Sequence, residues 1–387
     1  MEKKLLLIHG GGATAVINAS LYGAVCQARK HSGVAVYGAI GGTGGLLKEK
    51  IKELDSIPQS RLDLLLTTPG SAIGTSRDPL EKEEYGRMAG ILRKHGIEYV
   101  LCNGGNGTMD MCGKLDAACR DQGYDVRIMG IPKTMDNDLA VTDHSPGYGS
   151  AARYIARSVQ EVCADVRGMP IHVVVIEASG RNAGWITAAS ALARRGGGDG
   201  PDLIYLPERP FEEEAFLEDA AALIKRKRGV VVVASEGLRN RAGETIVPPV
   251  FQVGRAVYYG DVSAHLAALV IQRLGYKARS EKPGLLGRAS ITMQSPVDRE
   301  EARLAGEIAC QAVLAGESGK MVAFRRLPTD RYQIEPFLAD IRQVMLKEKT
   351  LPDEFISARG NDVTQAFVDW CAPLLGEDMP PMVSFQD

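Results

Sequence analysis

Short apolar runs alternate with amphipathic helical segments over most of this chain of 387 residues. The pattern starts with a run at 5–8, a helix expected at 13–30 and a second run at 34–39. A strand, a helix and another strand in that order form a parallel unit. Further strands are expected at 99–102, 127–131, 172–178, 203–206 and 230–234, and helices at 81–95, 147–165, 182–193 and 211–228. The pattern therefore predicts an α/β fold with mainly parallel sheets covered by helices on both faces.

The length and composition limit the classes of protein. Single cores stop growing near about 250 to 300 residues, so two lobes are expected. The formal charge is −2 and no basic stripe stands out, which argues against nucleic acid or membrane surfaces as partners. The seven cysteines are scattered and odd in number, as is typical of reduced core cysteines. The N-terminus leads directly into a strand and no apolar run approaches a membrane span, so a cytoplasmic protein is expected.

Residues 132–138, Pro-Lys-Thr-Met-Asp-Asn-Asp, combine two carboxylates, an amide, a hydroxyl and an ammonium directly after an apolar run. In extended backbone Asp136 and Asp138 share a face, so that one can take a proton while the other orients a neighbour or a metal. Lys133 adds a cation for phosphate oxygens. An isolated Asp-Asn-Asp segment is more typical of an Asx-rich turn that closes a buried strand, and the functional interpretation depends on the second cluster.

A second polar cluster, residues 104–110, also follows an apolar run. The carboxyl ends of parallel strands lie along one edge of a sheet, so this loop and residues 132–138 are expected to meet there. Glycines allow backbone amides to approach an anion, and a helix that starts near Thr108 would direct its positive end at it. The two loops together indicate phosphate chemistry, although a glycine-rich turn alone is weak evidence.

Seven spaced motifs in order resemble the phosphofructokinase A family, which transfers a phosphoryl group from ATP or pyrophosphate to the 1-hydroxyl of fructose 6-phosphate. The resemblance extends from about residue 4 to residue 315. It implies two Rossmann-like lobes with the active site in the cleft between them. It assigns 1–136 with about 250–305 to a donor lobe, and 137–249 with about 306–387 to an acceptor lobe. The motifs lie at residues 10–12 with 17–18, 75–77, 104–108, 132–138, 180–184, 236–237, and 279 with 288.

The resemblance also assigns roles to individual residues. Asp136 is expected to take the proton of the attacking hydroxyl, Thr134 to touch the transferring group and Asp138 to support the base or the cation. Mg²⁺ is the expected cofactor, with Asn106 and Asp136 as its ligands. The other catalytic candidates are Arg181 and Lys133. The donor candidates are Gly11, Gly12, Arg77, Gly105, Asn106, Gly107 and Thr108. The acceptor candidates are Thr134, Asp138, His172, Ser179, Gly180, Arg181, Glu236, Arg279 and Arg288.

The donor loop differs from the family pattern. Asn106 stands where the family usually has Asp, and an amide oxygen is a poorer magnesium ligand than a carboxylate. Gly107 matches the ATP-using members, because pyrophosphate-using members place Asp there and its side chain would occupy the α-phosphate position. Lys133 occurs in all pyrophosphate forms and in only some ATP forms. The steric argument favours ATP, with pyrophosphate as the alternative.

The acceptor residues differ as well. His172 and Leu285 stand where the family grips the 6-phosphate of the sugar, and Ser179 replaces a methionine. The expected acceptor is therefore fructose 6-phosphate or a related sugar. The alternatives are a sugar or polyol without the 6-phosphate, a non-catalytic regulatory paralogue, and a lipid or NAD kinase that shares only the Gly-rich loop. Family members pair so that the residue at position 172 reaches the neighbour's sugar, which predicts at least a homodimer.

Overall fold

The computed structural model describes residues 2–169, 171–253, 256–258 and 260–386. These residues form two compact units, each made of two stretches of chain. The first unit comprises Met1–Tyr148 and Arg288–Lys349, and the second comprises Gly149–Gly287 and Thr350–Asp387. Among the described residues, every helix is too short or too polar to cross a lipid bilayer.

The strands, in chain order, are β1 (Lys3–His9), β2 (Val34–Ala39), β3 (Ile51–Glu53), β4 (Ile97–Gly104), β5 (Arg127–Pro132), β6 (Val173–Ala178), β7 (Leu203–Tyr205), β8 (Val230–Ser235), β9 (Phe251–Val253), β10 (Ala256–Tyr258), β11 (Ala278–Glu281), β12 (Lys320–Arg326) and β13 (Ile334–Asp340). The helices are α1 (Ile17–Ala28), α2 (Gly42–Leu47), α3 (Gln59–Asp63), α4 (Lys82–His95), α5 (Asn106–Asp121), α6 (Tyr148–Gly168), α7 (Trp185–Ala189), α8 (Glu213–Ile224), α9 (Val262–Leu269), α10 (Leu286–Ala289), α11 (Pro296–Leu314), α12 (Ile341–Val344) and α13 (Gln365–Cys371).

The first unit is built on a sheet with the strand order β13-β12-β5-β4-β1-β2-β3. Its five central strands run parallel, and the two edge strands β3 and β13 run antiparallel to their neighbours. Side chains alternate between the faces of β1: Leu6 packs with α4 and α5 on one face, and Leu7 packs with α1 and α11 on the other. Because both faces are covered, the central strands consist almost entirely of buried apolar residues.

The second unit is built on a sheet with the order β11-β6-β8-β7, and all of its strands are parallel. Helices α8 and α9 cover one face of it, where Phe216 and Leu266 are fully buried. The predicted α/β fold with mainly parallel sheets is therefore confirmed. The seven cysteines form no disulfide, and six of them are buried, as expected for core cysteines.

Two predicted helices differ from the structure, and two strands that join the first sheet were not predicted. The predicted helix at 13–30 starts only at Ile17, because the residues before it form a loop after β1. The predicted helix at 182–193 is a short α-helix, α7, followed by a 3-10 segment at Ser190–Gly197. Strands β12 and β13 were not anticipated. They join the first sheet, so residues 306–349 group with the first unit rather than with the second.

The other predicted boundaries between the lobes also lie elsewhere. Residues 137–148 belong to the first unit, where they run beside the loop that follows β5. Residues 250–287 belong to the second unit, because β11 pairs with β6. Each sheet therefore includes strands from a later part of the chain, β12 and β13 in the first sheet and β11 in the second.

Candidate active site

Three neighbouring parallel strands of the first unit, β1, β4 and β5, end at the same edge of the sheet. The register pairs Gly104 with Pro132, so the loops that follow these two residues start side by side. The backbone N–H of Lys133 donates to the carbonyl of Gly104 at 3.0 Å. The two loops thus meet as the sequence predicted, and the glycine loop after β1 lies next to them.

The glycine loop at residues 10–12 brings three cations together. A Cβ atom on Gly12 would lie 2.6 Å from Nη1 of Arg288 and 3.2 Å from Nη2 of Arg77. Gly11 has φ +74°, and a Cβ there would lie 3.7 Å from Nζ of Lys133. A side chain at Gly12 would displace the guanidinium groups from the loop, and Gly11 favours glycine because of its positive φ. The loop is therefore a half-buried stretch of backbone beside three positive charges.

Lys133 is the most buried of these cations, with 3% of its surface exposed. Its Nζ donates to the carbonyl of Gly12 at 2.5 Å. Burial lowers its pKa from 10.5 to about 8; the carboxylate of Asp136 opposes this shift, and Arg77 and Arg288 add to it. A bound phosphate group would supply a negatively charged partner for this buried ammonium group.

Helix α5 begins at the same edge of the sheet, with Asn106 as its first residue and Gly105 in extended conformation before it. The unpaired N–H groups and the positive end of this helix favour an anion. Thr108 fills the space between the loops, since a Cβ on either Gly10 or Gly104 would overlap its side chain. Gly107 is exposed, and no atom lies within 4 Å of the place a Cβ would take.

Asp138 connects the two loops. Its Oδ2 accepts a hydrogen bond from Nδ2 of Asn106 at 2.9 Å, and its Oδ1 accepts one from Oγ1 of Thr134 at 3.0 Å. The Thr134 hydroxyl in turn accepts from the backbone N–H of Asp136 at 3.1 Å. Both oxygens of Asp138 therefore accept a hydrogen bond, and the carboxylate links Asn106 to Thr134.

Asn137 holds the turn between the two carboxylates. It is fully buried, has φ +54°, and its Oδ1 accepts from the backbone N–H of Ser145 at 3.0 Å. Asparagine tolerates the left-handed region better than most residues, which suits it to this position. The sequence analysis did not single out Asn137, although an asparagine between two aspartates is a recognisable turn signal.

The residues at this site are compatible with Mg²⁺ that binds together with a phosphate donor. Mg²⁺ prefers oxygen ligands and is usually held by one or two carboxylates together with substrate phosphates. The Oδ1 atom of Asn106 is buried and has no hydrogen-bond partner, so it is an unsatisfied oxygen at the loop junction. No group of three or more His, Cys, Asp or Glu residues in the described part of the chain is arranged to hold a metal.

In the second unit, the parallel strands β6 and β8 end side by side, with Ala178 opposite Ser235. Gly180 has φ +119°, and its N–H donates to Oε1 of Glu236 at 3.2 Å. The N–H of Glu236 donates to the carbonyl of Ala178 at 3.0 Å. Ser179 is half-buried beside this junction. The arrangement places Ser179, Gly180 and Glu236 together at one edge of the second sheet.

Arg181, which follows Gly180, is exposed. Arg279 is also exposed and lies on β11, opposite Val174 of β6. Arg288 was expected to join Arg279 as an acceptor residue, but the structure places its guanidinium beside Arg77 at the glycine loop of the first unit. The two late arginines of the sequence thus belong to different units.

His172 is not brought to the same edge as Glu236. It precedes β6, whose six residues span about 20 Å, and its ring packs on Tyr276 with centroids 5.0 Å apart. His172 therefore lies at the amino end of the strand, whereas Glu236 lies beside its carboxyl end.

The sequence analysis missed Glu177 and Lys282 near the carboxyl edge of the second sheet. Glu177 is buried, accepts from the N–H of Val262 at 2.7 Å at the start of α9, and lies 2.6 Å from Nζ of Lys282. Burial raises the pKa of Glu177, although Lys282 opposes the shift. A glutamate inside the apolar run 173–178 was the available signal.

Comparison with known proteins identifies the family of the chain. The family described as phosphofructokinase matches residues 4–314. A pyrophosphate–fructose 6-phosphate 1-phosphotransferase of Rhodospirillum rubrum is 35% identical over 99% of this chain and 97% of its own length. A sulfofructose kinase of Alkalicoccus urumqiensis is 32% identical over 97% of this chain and 95% of its own.

A crystal structure of a pyrophosphate-dependent phosphofructokinase from Nitrosospira multiformis is similar with a TM-score of 0.90 and 31% identity, covering 100% of this chain and 95% of that one. The sequence match and the fold match point to the same family. This chain belongs to the phosphofructokinase family and is a phosphofructokinase-like enzyme.

Proposed function

We propose that this enzyme transfers a phosphoryl group from a polyphosphate donor to the 1-hydroxyl of a fructose-type sugar. The observation that carries the proposal is the convergence of Lys133, Arg77 and Arg288 on the glycine loop, next to the start of α5. Phosphoryl transfer depends mostly on positioning and on neutralising charge. Three cations and a helix N-terminus supply both for a bound polyphosphate.

Asp136 is the proposed general base for the attacking hydroxyl. The hydroxyl of Thr134 binds the N–H of Asp136 and the carboxylate of Asp138, which fixes the backbone that carries the base. Asn106 and Asp136 are the residues offered to Mg²⁺. When bound with the donor, Mg²⁺ would neutralise phosphate charge.

ATP is the proposed donor, and the support is the open position at Gly107. An extended nucleotide needs space beyond the two terminal phosphates, and a side chain at this position would take it up. Pyrophosphate is the second candidate, because relatives such as the Rhodospirillum rubrum enzyme are named for it.

The variant Gly107→Asp tests the choice of donor. The position lies in the first turn of α5 without a positive φ, and aspartate near a helix N-terminus is stabilising by about 0.3 to 1 kcal/mol, so the variant is expected to fold. The kcat/KM for ATP should fall by about 100-fold or more, while that for pyrophosphate stays within about threefold. Gly90→Asp, at an exposed position in α4 with equally open surroundings, is the matched control.

If the wild-type enzyme turned over pyrophosphate but not ATP, the proposed donor would be wrong. The absence of turnover with either donor, over a panel of acceptors with Mg²⁺ present, would contradict the proposed function itself.

The proposed acceptor is fructose 6-phosphate or a ketose with a different group at that end. Leu285 is 68% exposed and offers no hydrogen bond to a phosphate. The relative named sulfofructose kinase gives the alternative a definite form, a sugar with a singly charged sulfonate. Fructose 6-phosphate, sulfofructose, sedoheptulose 7-phosphate and free fructose should be compared by kcat/KM. A micromolar KM for fructose 6-phosphate would reject the altered acceptor.

A homodimer or larger assembly is also proposed. His172 lies at the strand end away from Glu236, so its own chain does not place it beside that acceptor candidate. We expect a second copy to supply it. Light scattering at micromolar concentration should give at least twice the mass of one chain, and a monomer would contradict the proposal.

A further inference from the structure

A network of buried polar groups lies behind the loop that carries Asp136. The chain returns past this loop in residues 143–147, here called the return segment. The N–H of Thr134 donates to the carbonyl of Pro146 at 3.0 Å, and the N–H of Ser145 donates to Oδ1 of Asn137 at 3.0 Å. The shape of the loop therefore depends on the position of the return segment.

Helix α11 holds the return segment in turn. Oδ1 of Asp298 accepts from the N–H of Gly147 at 2.8 Å, and Oε2 of Glu301 lies 2.6 Å from Nε2 of His144. Asp298 and Glu301 are three residues apart and so lie on one face of the helix. Two carboxylates of one helix thus fix two points of the segment.

His144 is the centre of the network and is 1% exposed. Its Nδ1 lies 2.8 Å from Oδ2 of Asp143, while its Nε2 faces Glu301. The hydroxyl of Tyr332 donates to the other oxygen of Glu301 at 2.5 Å, and the ring of Phe324 stacks on the imidazole with centroids 5.6 Å apart. Both ring nitrogens face carboxylates, and only the charged imidazole donates from both.

Two further cations face the same network. Arg326 lies 3.1 Å from the carboxylate of Asp143, and Nζ of Lys349 donates to the carbonyls of Thr142 and Asp143 at 2.9 and 2.8 Å. Burial lowers the pKa of Lys349 to about 8, although Asp143 opposes the shift. These groups balance the charge of the two carboxylates together with His144.

The charge state of His144 follows from these neighbours. Burial alone would lower its pKa, but Glu301 and Asp143 outweigh burial and raise the pKa from 6.5 to about 9. Because the pKa is raised, the contribution of the charged ring to stability is complete below about pH 6.5. It is lost as the pH rises through about 9.

We propose that His144 is a positioning residue for the phosphoryl transfer and acts on Thr134 and Asn137 through the return segment. The inference rests on the proposed function, since it concerns the loop that carries the base. Loss of the contact between His144 and Glu301 removes one of the two points at which α11 fixes the segment. A displacement of about 1 Å at a reacting group can cost about 100-fold in rate.

The variant Glu301→Gln tests this role, because it keeps the shape of the side chain and one acceptor oxygen and removes its charge. In the pH profile of kcat, the fall on the alkaline side should occur about one pH unit or more lower than in the wild type. The donor KM near pH 6.5 should stay within about twofold of wild type. Lys133 and Lys349 also titrate near pH 8, but they are the same in both proteins, so the difference isolates His144.

Glu213→Gln is the matched control, since Glu213 lies 3.0 Å from Nε2 of His265 in the second unit. Its pH profile should coincide with that of wild type. If kcat falls at the same alkaline pH in Glu301→Gln and in Glu213→Gln, the inference is overturned.

A second variant, His144→Gln, separates positioning from general stability. Its kcat should fall about tenfold or more at every pH, with the donor KM little changed. A wild-type kcat in a folded but less stable variant would show that His144 is merely structural and would overturn the inference. If His144→Gln does not fold, the pH profile of Glu301→Gln still tests the inference.

A readout without substrate keeps the two proposals apart. Protection of the Thr134 amide from hydrogen exchange, measured relative to the exchange of an unstructured amide at the same pH, should decrease above about pH 9 in the wild type. In Glu301→Gln it should decrease at lower pH. Unchanged exchange in the variant would overturn the inference even if the enzyme is active. Shifted exchange in a protein that turns over no substrate would support the role of His144 and contradict the proposed function.

Discussion

Replacement of Lys133 by methionine should make the protein more stable and less active. The ammonium group is almost completely buried, and within the described part of the chain it donates one hydrogen bond, to the carbonyl of Gly12. Its pKa of about 8 means that the folded protein disfavours its charge, chiefly because of burial. Methionine has a similar length and no charge, so it fills the space without that cost.

The magnitude follows from the shift in pKa. A decrease from 10.5 to about 8 corresponds to about 3 kcal/mol of destabilisation by the charged form. Loss of the hydrogen bond to Gly12 offsets about 1 kcal/mol or more, which leaves a net gain of about 1 to 2 kcal/mol. Because the pKa is lowered, the penalty is complete below about pH 8 and vanishes as the pH rises towards 10.5.

Urea unfolding of wild type and Lys133→Met at pH 7 and pH 10 measures this effect, and the gain should be larger at pH 7. Lys114→Met is the control, since Lys114 is a half-exposed partner of Asp110 on α5 and should change stability by less than about 0.5 kcal/mol. The donor KM of Lys133→Met should rise about 10-fold to 100-fold, because a charge-assisted contact is lost. Destabilisation by more than about 1 kcal/mol at pH 7 would refute the reasoning.

Three further predictions concern the candidate active site. Asp136→Asn should lower kcat by about 100-fold to 10,000-fold while donor affinity, measured by calorimetry, changes little; a wild-type rate would exclude Asp136 as the base. Asn106→Asp places a second carboxylate against Asp138, so its melting temperature should fall between pH 5 and pH 8 and recover with Mg²⁺; no dependence on pH would contradict the contact. Arg288→Ala should raise the donor KM and Arg279→Ala the acceptor KM, each about 10-fold or more, and the reverse pattern would contradict the placement of Arg288.

The sequence was sufficient to place the two polar loops at one edge of a sheet. Each loop follows an apolar run long enough for a buried strand, and the ends of parallel strands converge whatever lies between them. This inference needed only the order and the polarity of local segments. Glu236 and Gly180 were grouped through the resemblance alone, and the structure places them together because both follow strands of the second sheet.

The network around His144 could not be predicted in this way. Its partners Glu301 and Tyr332 are 157 and 188 residues away, and no local pattern indicates which helix packs behind the loop. Arg288 was placed with the acceptor residues for a similar reason, since its position depends on where the chain re-enters the first unit. The burial of Lys133 depends on long-range packing as well.

The close packing of α1 against α11 has a consequence for synthesis of the protein. A Cβ on Gly23 would overlap the carbonyl of Arg303, and one on Gly306 would overlap that of Ser20, so the two helix backbones touch. Helix α11 lies almost 300 residues into the chain, and β12 follows it. When the ribosome has released residues 1–148, one apolar face of the first sheet therefore still lacks its cover. The nascent chain must keep this surface from aggregating until the segment that completes it emerges.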